Sequence, residues 1–212
     1  YYIIGGGTQT AAFGAGGIDS TGTVANGEEY NGTSWSETND LNTAVRNAAG
    51  TGTQTAGLAF GGNDPGPPAI VTGTEEYDGT SWTEAGAMNT GRRSLGGAGL
   101  QTSGLAFGGD VGPPGSSVAT EEYNGTSWTS VNNIPAVQRA AGSGGTQTSA
   151  IYMGGDLRPG AQFGTTTIMY DGTNWTTSAN LGTGRYELGG SAANNSAAVA
   201  FGGFTPGATS AT

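Results

Sequence analysis

Hydrophobic residues in this chain occur in short clusters separated by polar, glycine-rich stretches, and the clusters return in a fixed order. The runs Phe13 to Gly17, Leu58 to Gly62, Leu105 to Gly109, Ile151 to Gly155 and Val199 to Gly203 each end in a glycine pair. Each is too short for a helical stripe and is bounded by turn residues, the pattern of a strand covered on both faces. A Pro/Gly/Thr-rich loop follows, and then a polar and aromatic segment: Glu28 to Trp35, Glu75 to Trp82, Glu121 to Trp128 and Ile168 to Trp175. In each of these a tyrosine and a tryptophan flank Asn-Gly or Asp-Gly. Those dipeptides favour positive φ and predict a type I′ hairpin turn between two strands. An aliphatic residue (Leu41, Met88, Ile134, Leu181) and an arginine (Arg46, Arg93, Arg139, Arg185) come next, followed by stretches almost without side chains.

Tyr30, Tyr77, Tyr123 and Tyr170 lie 47, 46 and 47 residues apart, a period that indicates repeated supersecondary units. Each unit supplies four strands. The Ala/Gly stretches after the arginines, such as Gly96-Gly97-Ala98 and Ala140-Ala141-Gly142, suit the innermost strand of a radial array, where room is short. The expectation is an all-β propeller of four-stranded antiparallel blades, a single domain over residues 1–212, with the tryptophans at equivalent outer-strand positions. Four full units and the inner half of a fifth are present. The counting predicts a five-bladed ring whose last blade is finished by residues beyond Thr212 or by a partner chain, with a larger ring continuing in both directions as the alternative.

The order of double glycine, spaced Tyr and Trp, and a following Met/Leu and Arg resembles the Kelch repeat, over essentially the whole chain. Some Kelch propellers are copper oxidases, but the His and Cys which that chemistry requires are absent here. The repeat style, G-T-Q-T then A-F-G-G then E-E-Y-N-G-T-S-W, is similar to Kelch-type repeats in virion and tail-fibre proteins of marine bacteriophages. That resemblance implies a virion appendage or extracellular adhesin. An intracellular Kelch adaptor recruiting a protein partner is the alternative, with a cytoplasmic location.

Composition narrows the chemistry. Ordered spacing of aromatics argues for a packed core despite 43 glycines. With 16 acidic residues against six arginines, and no Lys, His or Cys, the formal charge is −10, which argues against nucleic-acid binding. Imidazole bases, thiol nucleophiles and the usual zinc sites are excluded, so the chain is read as no enzyme and no cofactor or metal is expected. No run approaches the roughly 20 apolar residues of a spanning helix, so membrane insertion is not expected.

The candidate site residues lie in two groups. Asp64, Asp110, Asp156, Arg158 and Phe204 belong to the variable loops after the glycine pairs, which contrast with a nearly constant blade and are read either as a displayed recognition surface or as connectors. The expected partner is a cell-surface glycan or a neighbouring structural protein, bound weakly per site and strengthened by multivalent assembly. Asp19, Asp64, Asp110 and Asp156, one carboxylate per loop, suit turn stabilisation better than Ca²⁺. Arg46, Arg93, Arg139 and Arg185 either ring one mouth of the central channel, where they could hold a carboxylate or sulfate, or pair with glutamates of neighbouring strands. In Glu28-Glu29, Glu75-Glu76 and Glu121-Glu122 adjacent residues point to opposite faces, so each pair is split across its blade and one member is expected to meet a repeat arginine.

Overall fold

A computed structural model describes residues 2–66, 69–113, 115–157 and 163–205, and among these there is no helix. The first blade is a four-stranded antiparallel sheet of β1 (Ile4–Thr8), β2 (Ala11–Ala15), β3 (Gly27–Tyr30) and β4 (Trp35–Thr38). The second repeats it with β5 (Ala49–Thr53), β6 (Ala56–Phe60), β7 (Thr74–Tyr77) and β8 (Trp82–Glu84). In the third, β9 (Gly96–Leu100) and β10 (Ser103–Phe107) are followed by a small hairpin, β11 (Asp110–Gly112) and β12 (Gly115–Ser116). That blade ends with β13 (Thr120–Tyr123) and β14 (Trp128–Val131). The fourth is β15 (Gly142–Thr146), β16 (Ser149–Met153), β17 (Thr167–Tyr170) and β18 (Trp175–Thr177); β19 (Gly189–Asn194) and β20 (Ala197–Phe201) form a fifth, two-stranded unit. The blades are arranged as a β-propeller.

The innermost strands β1, β5, β9, β15 and β19 pack side by side in that order. At several glycines their backbones approach too closely for a side chain. A Cβ on Gly144 would stand 2.7 Å from the Ala192 nitrogen, and one on Gly190 would stand 2.4 Å from that of Ser143. Between β1 and β19, the ends of the series, Tyr2 Oη lies 3.4 Å from Glu187 Oε1.

The Tyr-to-Trp connection differs from the expected turn. Tyr30 pairs with Trp35, Tyr77 with Trp82, Tyr123 with Trp128 and Tyr170 with Trp175, which leaves four residues in each loop. Asn31 Oδ1 accepts from the Thr33 and Ser34 amides, both at 3.0 Å, and Asp78, Asn124 and Asp171 do the same. Among these loop residues the glycine alone takes positive φ, at 91° for Gly32. The connection is an Asx turn within a four-residue loop, not a two-residue type I′ turn, because a side-chain oxygen organises it. Asp and Asn interchange freely there because the turn needs only an acceptor.

Cores form between blades. Phe60 meets Trp128 and Phe107 meets Trp175, each with ring centroids 4.9 Å apart. At the first interface the ring comes from the other side of the glycine: Phe13, at the position of Leu58, packs on Trp82 at 5.7 Å, and Ala15 stands where Phe60 does. Trp82, Trp128 and Trp175 are 6%, 6% and 9% exposed. Trp35 opens its strand in the same way but is 52% exposed, which corrects the expectation of like surroundings. Its face of the first blade has no described blade packed against it.

Candidate functional site

Four-stranded meanders put the turns between first and second and between third and fourth strands at one end of the propeller. The loops after the glycine pairs and the crossings between blades lie at the other end. There the chain narrows to a ring. Tyr2, Asn47, Ser94, Ala140 and Glu187, one from each unit, adopt left-handed backbone with φ of 60°, 55°, 50°, 49° and 52°. Ser94 N donates to Asn47 O at 2.7 Å, Ala140 N to Ser94 O at 2.8 Å and Glu187 N to Ala140 O at 2.7 Å. This backbone chain ties successive blades together at the axis. No glycine marks it, and no motif in the chain signals it.

A second ring surrounds the first. Arg46, Arg93, Arg139 and Tyr186 each precede a ring residue and pair by backbone with the residue after a glycine pair, namely Asn63, Asp110, Asp156 and Phe204. The bonds run both ways, as in Arg93 N to Asp110 O at 2.9 Å and Asp110 N to Arg93 O at 2.8 Å. The glycine pairs make the approach possible. Gly62 has φ of 98°, and a Cβ there would lie 2.8 Å from the Arg46 carbonyl oxygen.

Side chains join this outer ring into a ladder. Arg93 Nη2 lies 3.3 Å from Asp110 Oδ2, and Arg139 Nη1 reaches the same carboxylate from the next unit. Arg139 also gives Nε and Nη2 to Asp156 Oδ2, at 3.1 and 2.8 Å. Beyond Asp156 the ladder turns aromatic: Tyr186 stacks on Phe204 at 5.4 Å with planes 24° apart, and Phe163 lies 5.5 Å from Tyr186. Phe204 is 55% exposed. A depression of about 320 Å³ has Asn47, Ser94, Ala140 and Glu187 as its floor and Arg93, Arg139, Asp156 and Tyr186 around it. It adjoins an axial cavity of about 700 Å³ lined by all five units.

The mouth therefore brings together Asp110, Asp156, Phe204, Arg93 and Arg139 from the two predicted groups. Arg46 takes the equivalent backbone place, paired with Asn63 where the next two units have an aspartate. Asp64 and Asp19 sit one residue beyond the ring position. Asp64 Oδ1 caps its own loop at Gly66 N, 3.0 Å away. Asp19 is held by the Thr21 hydroxyl and amide, which lower its pKa. Arg158 lies outside the described residues. Among the described residues no three acidic side chains gather as a metal ion would need.

Arg185 requires a correction. It is not the counterpart of Arg46, Arg93 and Arg139; Tyr186 is. Arg185 occupies the preceding place, where its Nη1 donates to Gly202 O at 2.9 Å, as Arg92 Nη1 donates to Gly108 O at 3.0 Å. Arg92 was missed. Its side chain is wholly buried, 2.9 Å from Glu121 Oε1, and burial lowers its pKa while Glu121 opposes the shift. The signal lay in the Arg92-Arg93 doublet and in counting back from the next strand instead of taking the nearest arginine.

The glutamates are split across the blades as expected, but their partners vary. Glu75 accepts from Asn42 N, Thr43 N and Asn42 Nδ2; Glu121 accepts from the equivalent Asn89 N and Thr90 N and meets Arg92 in addition. The second glutamate of each pair takes a tyrosine hydroxyl from the next blade: Tyr77 to Glu29 at 2.5 Å, Tyr123 to Glu76 at 2.8 Å and Tyr170 to Glu122 at 3.0 Å.

No protein-family model matches the chain, and no curated protein matches it. Among solved structures it is similar to that of YjhT, with a TM-score of 0.77 and 15% identity, over 97% of this chain and 78% of that one. At this identity the likeness supports the β-propeller fold and carries no function with it.

Proposed function

We propose that this chain is a non-enzymatic recognition module, a Kelch-type propeller on a virion appendage or extracellular adhesin, whose channel mouth binds a cell-surface glycan. The observation that carries this reading is the exposed Phe204–Tyr186 stack beside the Arg139–Asp156 pair. An aromatic face receives the apolar side of a sugar ring, while guanidinium and carboxylate groups exchange hydrogen bonds with its hydroxyls. Arg139 already spends Nε, Nη1 and Nη2 on two aspartates, an arrangement suited to fixed positioning rather than proton transfer. The depression is small, about 320 Å³, so each site offers few contacts and attachment depends on many copies.

Replacing residues 111–116 with Gly/Ser and Phe204 with Ser, while leaving the backbone-paired ring intact, tests the reading. Adhesion to glycan-bearing cells should be lost with the melting temperature unchanged. Undiminished adhesion would place recognition elsewhere, and adhesion inhibited by a protein partner but by no glycan would favour an adaptor.

A further inference from the structure

Asn-Gly occurs three times in the chain, at Asn26, Asn31 and Asn124. An asparagine before glycine is open to attack on its own side chain. The glycine nitrogen can close a five-membered imide on the asparagine Cγ, because glycine has no Cβ to hinder the approach. The structure sets the three sites apart. At Asn31 and Asn124 the amide that follows, of Gly32 or Gly125, donates no hydrogen bond among the described residues, and neither does the side-chain Nδ2. The side-chain oxygen is held by two amides: those of Thr33 and Ser34, both at 3.0 Å, for Asn31, and those of Thr126 and Ser127, both at 2.9 Å, for Asn124. Two donors on that oxygen stabilise the negative charge it gains when the carbonyl is attacked. Both asparagines are exposed to water. At Asn26 the same dipeptide is locked. Gly27 is buried, begins β3, and its amide donates to Asp40 Oδ1 at 3.2 Å.

We propose that Asn31 and Asn124 are sites of self-catalysed deamidation in the folded protein, and that Asn26 is protected. The Gly32 nitrogen bonds to Asn31 Cγ, and its proton passes through water to Nδ2. The Cγ–Nδ2 bond breaks and Nδ2 leaves as ammonia. Water then opens one of the two C–N bonds of the imide, giving aspartate or its β-linked isomer. One water is consumed and one ammonia released, with no change of oxidation state. The fold already holds the aspartate product in other blades. Asp78 accepts from two loop amides at 2.8 Å, and Asp171 from two at 2.8 and 2.7 Å. Those bonds lower the pKa of both, so a carboxylate in this turn is ionised at neutral pH. Each conversion adds one negative charge at the end of the propeller opposite the mouth, and the proposal is independent of the glycan reading.

Incubation of the intact chain at mildly alkaline pH, followed by peptide mapping in a mass spectrometer, tests the proposal. Conversion at Asn31 and Asn124 should outpace that at Asn26 roughly tenfold or more, the rate cost of breaking a hydrogen bond to a carboxylate before attack. In urea, where no site keeps its loop, the three should convert at like rates. Asn26 keeping pace in the folded chain overturns the proposal. So does a folded chain in which Asn31 and Asn124 stay intact while all three sites convert in urea. Asn31→Asp and Asn124→Asp should leave the melting temperature unchanged, and a fall in either variant overturns the claim that the fold accepts the product.

Discussion

The indole nitrogen of Trp128 donates to Thr74 Oγ1 of the preceding blade at 3.0 Å. Trp175 makes the same bond to Thr120, also at 3.0 Å, but the Trp82 indole nitrogen has no partner among the described residues, because Gly27 occupies the threonine position. A threonine does not fit there, since a Cβ on Gly27 would lie 2.5 Å from the Asn39 carbonyl oxygen. Trp128→Phe should therefore destabilise the protein by about 1–2 kcal/mol more than Trp82→Phe, because it orphans a buried hydroxyl while the other removes an orphaned donor. Urea unfolding of the two variants reads the difference.

Arg92 and Glu121 form a fully buried pair, and the fourth blade shows how the fold manages without one. There Gln138 takes the place of Arg92, donating to Gly154 O at 2.5 Å, and Ile168 takes the place of Glu121. Glu121→Ile alone leaves a buried guanidinium unpaired and should cost about 3–5 kcal/mol. Adding Arg92→Gln should recover part of that loss, with a coupling of about 2 kcal/mol in a double-mutant cycle. Additive losses would mean that the two side chains do not act as a pair.

Alkaline pH should unfold the propeller. Burial first, and then the facing glutamates, raise the pKa values of Tyr123 and Tyr170; burial, Glu29 and Asp78 raise that of Tyr77, and burial raises that of Tyr152. A folded pKa above the unfolded value of about 10 means that the contribution is whole below pH 10 and is lost as pH climbs toward the folded value. Stability should fall steadily above pH 10, with tyrosinate absorbance rising in step with unfolding. Ionisation of all eight tyrosines in the still-folded protein would contradict this.

At the axial ring, Ala140 holds φ of 49° and Asn47 holds 55°. Alanine pays for the left-handed region, whereas asparagine tolerates it. Ala140→Gly should stabilise the protein by about 1 kcal/mol, with Asn47→Gly gaining little. Thermal unfolding distinguishes them.

Motifs whose chemistry is local were legible in the sequence. The glycine pairs, the Asx loops and the Tyr–Trp spacing each encode a conformation that a few neighbouring residues dictate, so strand order and blade boundaries follow from them. Relations between blades were not legible. Trp35 and Trp82 sit in nearly identical segments, yet one is exposed because burial depends on the neighbouring blade. Arg185 and Arg93 both follow an aliphatic residue, but a one-residue offset sends one into the wall and the other to the mouth. Asn63 reads as an ordinary loop polar residue until Asp110 and Asp156 are seen in its place in the next two units.

The central claim, that recognition belongs to the mouth and its loops, is tested most directly by amide hydrogen exchange with and without a bound glycan. The loops at residues 61–66, 108–113 and 154–157 and the ring residues Asn47, Ser94, Ala140 and Glu187 should gain protection. The Asx loops at 31–34, 78–81, 124–127 and 171–174, at the opposite end, should not change. Protection confined to the Asx loops, or spread evenly over both ends, would contradict the account.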